Sequence, residues 1–214
     1  MSLIDELINN GSLKSPEIIK AFRTVRRRDF IRPEDSGQAE INAPLSLGFG
    51  QTISQPQTVA FMMEKLKPGA GEKILDIGCG SGWTSALLSF IVGAVGKVYG
   101  LERICELKNF AEANLDKYNF IKNRVVHIIC SDGFYGLPEF GPFDKILVSA
   151  AAEEIPDELL KQLKIGGRLV MPIGRRFASQ SIIVIDRITA DEFKSKEYPG
   201  FIFVPLIKSA KDEI

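Results

Sequence analysis

Three carboxylates follow predicted strands, and their spacing is the first feature that could do chemistry. Asp76 ends one apolar run, Glu102 ends the next, about 20 residues beyond a glycine turn, and Asp132 follows a third. Parallel strands that alternate with helices end at the same edge of a sheet, so these side chains should meet there. Glu102 could accept hydrogen bonds from both hydroxyls of a ribose, and Asp132 could bind an adenine amino group. The series therefore predicts a nucleoside site.

The glycine turn directly after Asp76 suits the close approach of a ligand. Its G-x-G-x-G pattern, residues 78–82, allows positive φ angles and leaves no Cβ in the way. The spacing is one residue shorter than in dinucleotide-binding proteins. Asp76 would repel a diphosphate but could hold a cation, such as the amino group of a methionine-like moiety. Any one of these acids alone would be interpreted as a turn former or helix cap, so the prediction depends on the series.

The composition predicts one soluble globular domain. The chain has 214 residues, of which 45% are hydrophobic and 25% charged, and Lys plus Arg and Asp plus Glu both number 27. Balanced charge gives no general field to attract nucleic acid, and no apolar run is long enough to span a membrane. Without a predicted signal peptide, we expect a cytoplasmic protein. The cluster Arg23, Arg26, Arg27 and Arg28 is interpreted as the solvated face of a helix rather than an RNA contact.

The cysteines and the histidine predict neither metal binding nor nucleophilic catalysis. Cys79, Cys105 and Cys130 are odd in number and form no C-x-x-C pair, so we expect reduced thiols that fill apolar space, with no zinc site and no disulfide. His127 lies inside an apolar run and is interpreted as a packing residue. No nucleophile elbow accompanies it.

The order of the predicted elements indicates an α/β fold with a doubly wound, mostly parallel sheet and helices on both faces. N-terminal helices cover 2–10, a segment opening at Ser15-Pro16, and 56–66. The glycine-rich stretch 45–56 is expected to be a functional loop. Core strands are predicted at 73–77, 97–101, 125–130, 143–149 and 168–173, alternating with helices at 82–92, 105–118 and 156–163, and antiparallel strands at 180–187 and 193–206. Within a single domain, 1–214, we distinguish an N-terminal part (1–67), a cofactor-binding core (73–174) and a C-terminal part (175–214).

Several longer motifs resemble one family. The acid-glycine turn, Glu102-Arg103 and Asp132-Gly133 are similar to those of class I S-adenosylmethionine-dependent methyltransferases, which have a Rossmann-like sheet. Within that class, G-Q-T-I-S at 50–54, A-A-A at 150–152 and F-V-P-L at 203–206 resemble the protein-L-isoaspartate O-methyltransferases. The G-Q-T-I-S and F-V-P-L segments are much more discriminating than the glycine turn. The similarity extends over nearly the whole chain.

The resemblance implies a repair enzyme that uses S-adenosyl-L-methionine to methylate the free α-carboxylate of L-isoaspartyl residues. Isoaspartyl-containing peptides and proteins are the implied partners, with no nucleic acid or membrane, and we expect a monomer. Ser54 matches the active-site hydroxyl. The implied cofactor-binding residues are Asp76, Gly78, Cys79, Gly80, Gly82, Glu102, Arg103, Asp132 and Gly133, and the implied substrate-binding residues are Thr52, Ile53, Ala150, Ala151, Val204, Pro205 and Leu206.

Some positions depart from the family pattern and keep alternatives open. Gln57 stands where a ring is frequent, Asn42 where an acid is common, and Ser46 where proline is frequent. These differences favour, as the main alternative, a class I methyltransferase with another small-molecule or protein substrate. A non-catalytic nucleoside-binding protein and a nicotinamide-dependent dehydrogenase rank lower, the latter because of the short glycine spacing. Ser54 could also simply cap the helix that follows.

Overall fold

The computed structural model describes residues 2–175 and 178–208, so residues 176–177 and 209–214 of the predicted C-terminal part lie outside it. Its main sheet has seven strands in the order β5-β4-β3-β6-β7-β8-β9. From β5 to β7 in this order, neighbouring strands pair in parallel. The β7-β8 and β8-β9 pairs are antiparallel. The strands are β3 Lys73–Ile77, β4 Lys97–Glu102, β5 Val126–Cys130, β6 Phe143–Val148, β7 Leu163–Ile173, β8 Gln180–Arg187 and β9 Phe193–Phe201. The predicted α/β, doubly wound, mostly parallel sheet is confirmed.

Six α-helices lie in the described part of the chain, and local sequence explains several of their ends. They are α1 Leu3–Asn9, α2 Pro16–Thr24, α3 Pro56–Leu66, α4 Trp83–Val92, α5 Cys105–Asp116 and α6 Asp157–Lys161. Ser2 caps α1 by accepting a hydrogen bond from the Asp5 N–H, and proline occupies the first position of α2 and α3. Gly82 and Gly93 flank α4, both with positive φ. No helix of residues 2–175 and 178–208 is long and apolar enough to cross a membrane.

Two hydrophobic clusters cover the two faces of the sheet. Because successive side chains of a strand point to opposite faces, Ile74 belongs to one cluster and Leu75 to the other. Helices α1 to α5 contribute to the first cluster, and α6 contributes Leu159 to the second. Both Ile74 and Leu75 are fully buried, which holds β3 rigidly at the centre of the sheet.

The stretch predicted as an irregular loop contains a β-hairpin instead. Strands β1 Leu45–Gly48 and β2 Gln51–Ile53 pair in a separate two-stranded sheet. The turn uses positive φ at Gly48, Phe49 and Gly50, and the register shifts between Ser46 and Gly48. Leu45, Leu47 and Ile53 bury their side chains in the core, so apolar anchors hold strands too short and glycine-rich to be recognised from the sequence.

Predictions near the C-terminus were displaced by several residues. The helix predicted at 156–163 ends at Lys161, and β7 begins at Leu163 rather than 168 because Leu163 already pairs with Phe143. Gly166 and Gly167 lie in an irregular part of β7, because the pairing register shifts between the Phe143–Leu163 and Lys145–Arg168 pairs. Strand β9 ends at Phe201, before the F-V-P-L segment.

The prediction that all three thiols are reduced was wrong for two of them. Cys105 and Cys130 form a disulfide with their Cα atoms 5.3 Å apart. Cys105 opens α5 directly after β4, and Cys130 ends the neighbouring strand β5, so topology brings together residues separated by 25 positions. Cys79 is free and buried, and burial raises the pKa of its thiol well above 9.0. Within the described ranges, no three His, Cys, Asp or Glu side chains are grouped as metal ligands.

Candidate active site

A cleft lies at the carboxyl ends of β3, β4 and β6, where ligands bind in sheets of this kind. Its floor comes from the glycine turn, and its walls come from the β1-β2 hairpin and the segment after β9. Predicted cofactor residues lining the cleft are Gly78, Cys79, Gly80, Glu102, Arg103 and Gly133, and predicted substrate residues lining it are Thr52, Ile53, Ser54, Ala150, Val204, Pro205 and Leu206. The predicted nucleoside and substrate residues therefore largely share one site.

The glycine turn has the backbone that the sequence predicted. Gly78, Gly80 and Gly82 have φ angles of 74, 55 and 86°, in the region that side-chain-bearing residues avoid. The N–H groups of Gly78 and Cys79 both donate to the Leu101 carbonyl, at 2.8 and 3.1 Å. The turn is therefore anchored to the end of β4. Gly82 directly precedes α4 and packs towards Ala111 instead of lining the cleft.

Glu102 joins the turn to the second strand. Its side chain is buried, and its Oε2 accepts a hydrogen bond from Gly80 N at 2.9 Å. Its Oε1 accepts from Ile104 N at 3.0 Å. Each carboxylate oxygen has capacity for more than one hydrogen bond, and Glu102 also lines the cleft. The carboxylate can thus receive two ribose hydroxyls while it keeps its backbone partners.

Asp76 lies beneath the turn and does not line the cleft. It is fully buried, and its Oδ2 accepts hydrogen bonds from Thr84 Oγ1 at 2.7 Å and Ser85 Oγ at 2.6 Å. Its Oδ1 has no hydrogen-bond partner among the described residues. Burial raises the pKa of Asp76 to about 6, the two hydroxyls lower it, and Glu102 adds a smaller upward shift. A buried carboxylate with an unpartnered oxygen suits a cationic ligand group above the turn.

Asp132 makes a local contact rather than lining the cleft. Its Oδ1 accepts from Phe134 N at 2.9 Å and caps the short 3-10 turn Gly133–Tyr135. Gly133 does line the cleft, and its close packing against Ile77 leaves no room for a Cβ. The adenine contact of Asp132 therefore stays a prediction.

A second cavity, here called the groove, lies next to the cleft and shares part of its lining with it. The groove is lined by residues of the hairpin, the start of α3 and the segment 200–205. The residues that border both cavities are here called the shared wall and are Thr52, Ser54, Ser149, Val204 and Pro205. The cleft and the groove therefore adjoin each other at these five residues.

The C-terminal part of the shared wall is held by backbone pairing to Ala151, in the segment that follows β6. Ala151 N donates to the Val204 carbonyl at 2.8 Å, and Leu206 N donates to the Ala151 carbonyl at 2.7 Å. Phe203 N donates to Gln180 Oε1 at 2.7 Å. Ala151, a predicted substrate residue, therefore supports the wall from behind and does not line the cleft.

Ser54 follows β2 and is half-buried in the shared wall. It does not cap the next helix, because the residue preceding Pro56 at the start of α3 is Gln55. Its backbone carbonyl accepts a hydrogen bond from Arg27 Nη2 at 3.4 Å. Ser54 is therefore not the cap of α3.

Sequence reasoning missed Arg27 and Ser149. Arg27 was interpreted as part of a solvated helix face, and this was wrong: it is 5% exposed, and burial lowers its pKa to about 10. Arg28 next to it is exposed, so composition alone could not separate them. Ser149 follows the apolar strand β6 and precedes the small residues 150–152, which was the available signal for its position.

Asn42 and Gln57, two positions that depart from the family pattern, form a pair at the groove. Asn42 Nδ2 donates to Gln57 Oε1 at 2.9 Å, and Asn42 Oδ1 accepts from Gln57 N at 3.0 Å. Gln57 is the second residue of α3 and lines the groove. Each of the two unusual residues thus supplies hydrogen-bond partners for the other.

Comparison with known proteins gives a consistent family. The family model described as protein-L-isoaspartate (D-aspartate) O-methyltransferase matches residues 1–211. Proteins named protein-L-isoaspartate O-methyltransferase from Staphylothermus marinus and Methanopyrus kandleri are 42% and 38% identical, with alignments covering 96% of this chain in both cases and 92% and 89% of those proteins. The crystal structure of a Plasmodium falciparum protein described as a protein-L-isoaspartate O-methyltransferase, in complex with S-adenosyl-L-homocysteine, matches with a TM-score of 0.87, 26% identity and 97% coverage of both chains.

Proposed function

The chain belongs to the protein-L-isoaspartate (D-aspartate) O-methyltransferase family, and we propose that the cleft and the groove together carry out the reaction of that family. In this reaction a methyl group passes from S-adenosylmethionine to the free α-carboxylate of an L-isoaspartyl residue in a damaged peptide or protein. The methyl ester can lose methanol, whereas the carboxylate has no comparable leaving group. The backbone nitrogen of the next residue attacks the ester carbonyl carbon, methanol leaves and a succinimide forms. Addition of water then opens the succinimide, in part to normal aspartate.

The observation that carries the proposal is the shared wall. The cofactor would occupy the cleft, and the peptide would lie in the groove. Thr52, Ser54, Ser149, Val204 and Pro205 border both cavities, so a cofactor in the cleft and a peptide in the groove would lie next to each other at these residues. In-line placement of the nucleophile and the methyl carbon is the main requirement of this chemistry.

The residues of the cleft fit the cofactor. Glu102 has hydrogen-bonding capacity left for the ribose, and the glycine turn allows close approach. The unpartnered Oδ1 of Asp76 lies beneath the turn and favours a positive charge above it. When bound, S-adenosylmethionine supplies a sulfonium-activated methyl group. The protein must hold the cofactor and keep water away from the reacting atoms.

We assign the substrate carboxylate to Ser54. A carboxylate is ionised at neutral pH and needs no general base, so the reaction does not require a histidine. The Ser54 hydroxyl can donate a hydrogen bond that orients one oxygen without adding charge. Val204 and Pro205, fixed by the backbone pairing with Ala151, form a second side of the groove for the peptide chain.

The test is transfer of labelled methyl from S-adenosylmethionine to a short peptide containing L-isoaspartate, beside the same peptide containing L-aspartate. We expect selective, base-labile labelling of the isoaspartyl peptide. Ser54→Ala should lower kcat while the affinity for S-adenosylhomocysteine stays within about twofold. Equal labelling of both peptides would contradict the proposed substrate. A loss of cofactor affinity in Ser54→Ala would contradict the assigned role of the hydroxyl.

We further propose that one copy of the chain suffices for the reaction. The residues assigned above to the cofactor and to the substrate carboxylate lie together in the cleft and the shared wall, so none of these roles needs a residue from a second copy. Light scattering coupled to gel filtration, performed at the assay concentration, should give the mass of a monomer. An active dimer that loses activity on dilution would contradict this.

A further inference from the structure

Arg27 is a buried cation that binds backbone carbonyls instead of an acid. Its side chain forms no salt bridge within the described ranges, although Glu40 is near enough to favour its charged form. Its Nη1 donates to the carbonyls of Ala39 at 3.2 Å and Ile41 at 3.0 Å. Its Nη2 donates to the carbonyls of Ala43 at 2.7 Å and Ser54 at 3.4 Å. Burying a cation is costly, so four carbonyl partners indicate a definite role for it.

The four carbonyls belong to the two ends of one substructure. Ala39, Ile41 and Ala43 lie in the segment that leads into β1, and Ser54 lies directly after β2. The guanidinium therefore joins the two ends of the hairpin. Nη1 binds only the segment before β1, and Nη2 binds both that segment and Ser54 after β2. The planar fork of arginine allows this division of donors, whereas a lysine presents one compact charge.

Arg27 also contacts an aromatic ring that lines the cleft. Its guanidinium carbon lies 5.7 Å from the centroid of Trp83, the first residue of α4 and part of the cleft lining. Trp83 is itself held by Phe22 in an edge-to-face contact, with ring centroids 5.5 Å apart. Arg27 thus connects a rigid wall of the cleft to the backbone of Ser54.

We infer that Arg27 is the positioning residue that fixes Ser54 in the shared wall, so that its hydroxyl is held against the substrate carboxylate. This inference rests on the proposed role of Ser54. Arg27 touches neither reacting group and acts only through the Ser54 backbone and the segment 39–43. A misplacement of about 1 Å in such a site is enough to lower the rate by about 100-fold.

The test compares Arg27→Lys and Arg27→Met with Arg28→Met, a control that removes the exposed neighbouring arginine. We expect Arg27→Lys to lower kcat for the isoaspartyl peptide about 10-fold or more, because fork contacts to several carbonyls are lost. The affinity for S-adenosylhomocysteine, measured by calorimetry, should change less than about threefold. Arg28→Met should match the wild type in both measurements. If Arg27→Met does not fold, Arg27→Lys alone carries the comparison.

A double-mutant cycle with Ser54→Ala separates positioning from general damage. If Arg27 acts through Ser54, Arg27→Lys should lower kcat much less when the hydroxyl is already absent. Equal effects of Arg27→Lys in both backgrounds would overturn the inference, as would unchanged kcat in Arg27→Lys. Wild-type kcat in Ser54→Ala alone would instead overturn the proposed role of Ser54, so the two failures are distinguishable.

Discussion

The backbone N–H of Gly80 donates to Glu102 Oε2 at 2.9 Å, and this contact joins the glycine turn after β3 to the acid that ends β4. Glu102 therefore shapes the turn in addition to facing the cleft. The same carboxylate also accepts from Ile104 N, directly before α5. One acid thus fixes both backbone segments that would surround a ribose.

The first prediction concerns this acid. Glu102→Gln keeps one acceptor oxygen but turns a donor towards a backbone N–H, and Glu102→Ala removes both contacts. Both variants should bind S-adenosylhomocysteine about 1–3 kcal/mol more weakly by calorimetry, as expected for charge-assisted hydrogen bonds. Glu106→Gln removes an exposed acid in the first turn of α5 and serves as the control. Wild-type affinity in Glu102→Ala would rule out the ribose assignment.

The second prediction concerns the pH dependence that Asp76 gives to stability. Its folded pKa of about 6 lies above its ordinary value of 3.8 because of burial. The folded state therefore holds the proton more tightly, so the contribution of Asp76 to stability is fully present below pH 3.8 and is lost as pH rises through about 6. Asp76→Asn removes this titration while it keeps an acceptor for Thr84 and Ser85.

We therefore expect the stability of Asp76→Asn to increase relative to the wild type between pH 4 and pH 7, by about 2 kcal/mol. Urea unfolding of both proteins across this range measures the difference. A constant difference at all pH values would show that Asp76 does not titrate as described. Asp144→Asn is a useful comparison. Partial burial raises the pKa of Asp144, but Lys164 and the Lys73 N–H together lower it below 3.8, so its contribution to stability is present above that pH and is lost as the pH falls further.

The third prediction concerns the Cys105–Cys130 disulfide, which closes a loop of 25 residues. Cys105→Ser/Cys130→Ser should lower the free energy of unfolding by about 3 kcal/mol, since the cross-link restricts the unfolded chain. Thiol titration of the unfolded protein should detect one thiol before reduction and three after it. Three reactive thiols before reduction would contradict the pairing.

The fourth prediction concerns Asn42. Asn42→Ala leaves the Gln57 N–H without its acceptor in the first turn of α3, and should lower stability by about 1 kcal/mol. Because Gln57 lines the groove, KM for the isoaspartyl peptide should rise while the affinity for S-adenosylhomocysteine stays constant. Asn123→Ala, at an exposed position outside the groove, is the control. An unchanged KM would show that the pair only stabilises the helix.

The parallel core was predictable because strong local signals coincide there. Strand β3 has the bounds expected from its apolar run, and the glycine turn has the predicted positive φ angles. The family motifs marked both walls of the cleft. In these places the local preference and the tertiary structure agree, which is what a well-defined fold requires.

The remaining errors concern features that depend on distant parts of the chain. The hairpin at 45–53 is held by burial of three side chains rather than by strand propensity. Arg27 is buried because carbonyls far along the chain surround it, and no local pattern distinguishes it from Arg28. The disulfide depends on the adjacency of β4 and β5, which the spacing of the cysteines does not encode.

The division into two sheets also predicts where amide hydrogens exchange with solvent. Strand β3 is central and paired on both sides, so its amides should exchange only through global unfolding. The hairpin β1-β2 forms no ladder with the main sheet, and such a short pair is marginally stable by itself. Its amides can therefore exchange through local opening at a lower free energy. The floor of the site is thus the slowest-exchanging part of the molecule, and the wall that receives the peptide is among the fastest of its ordered elements.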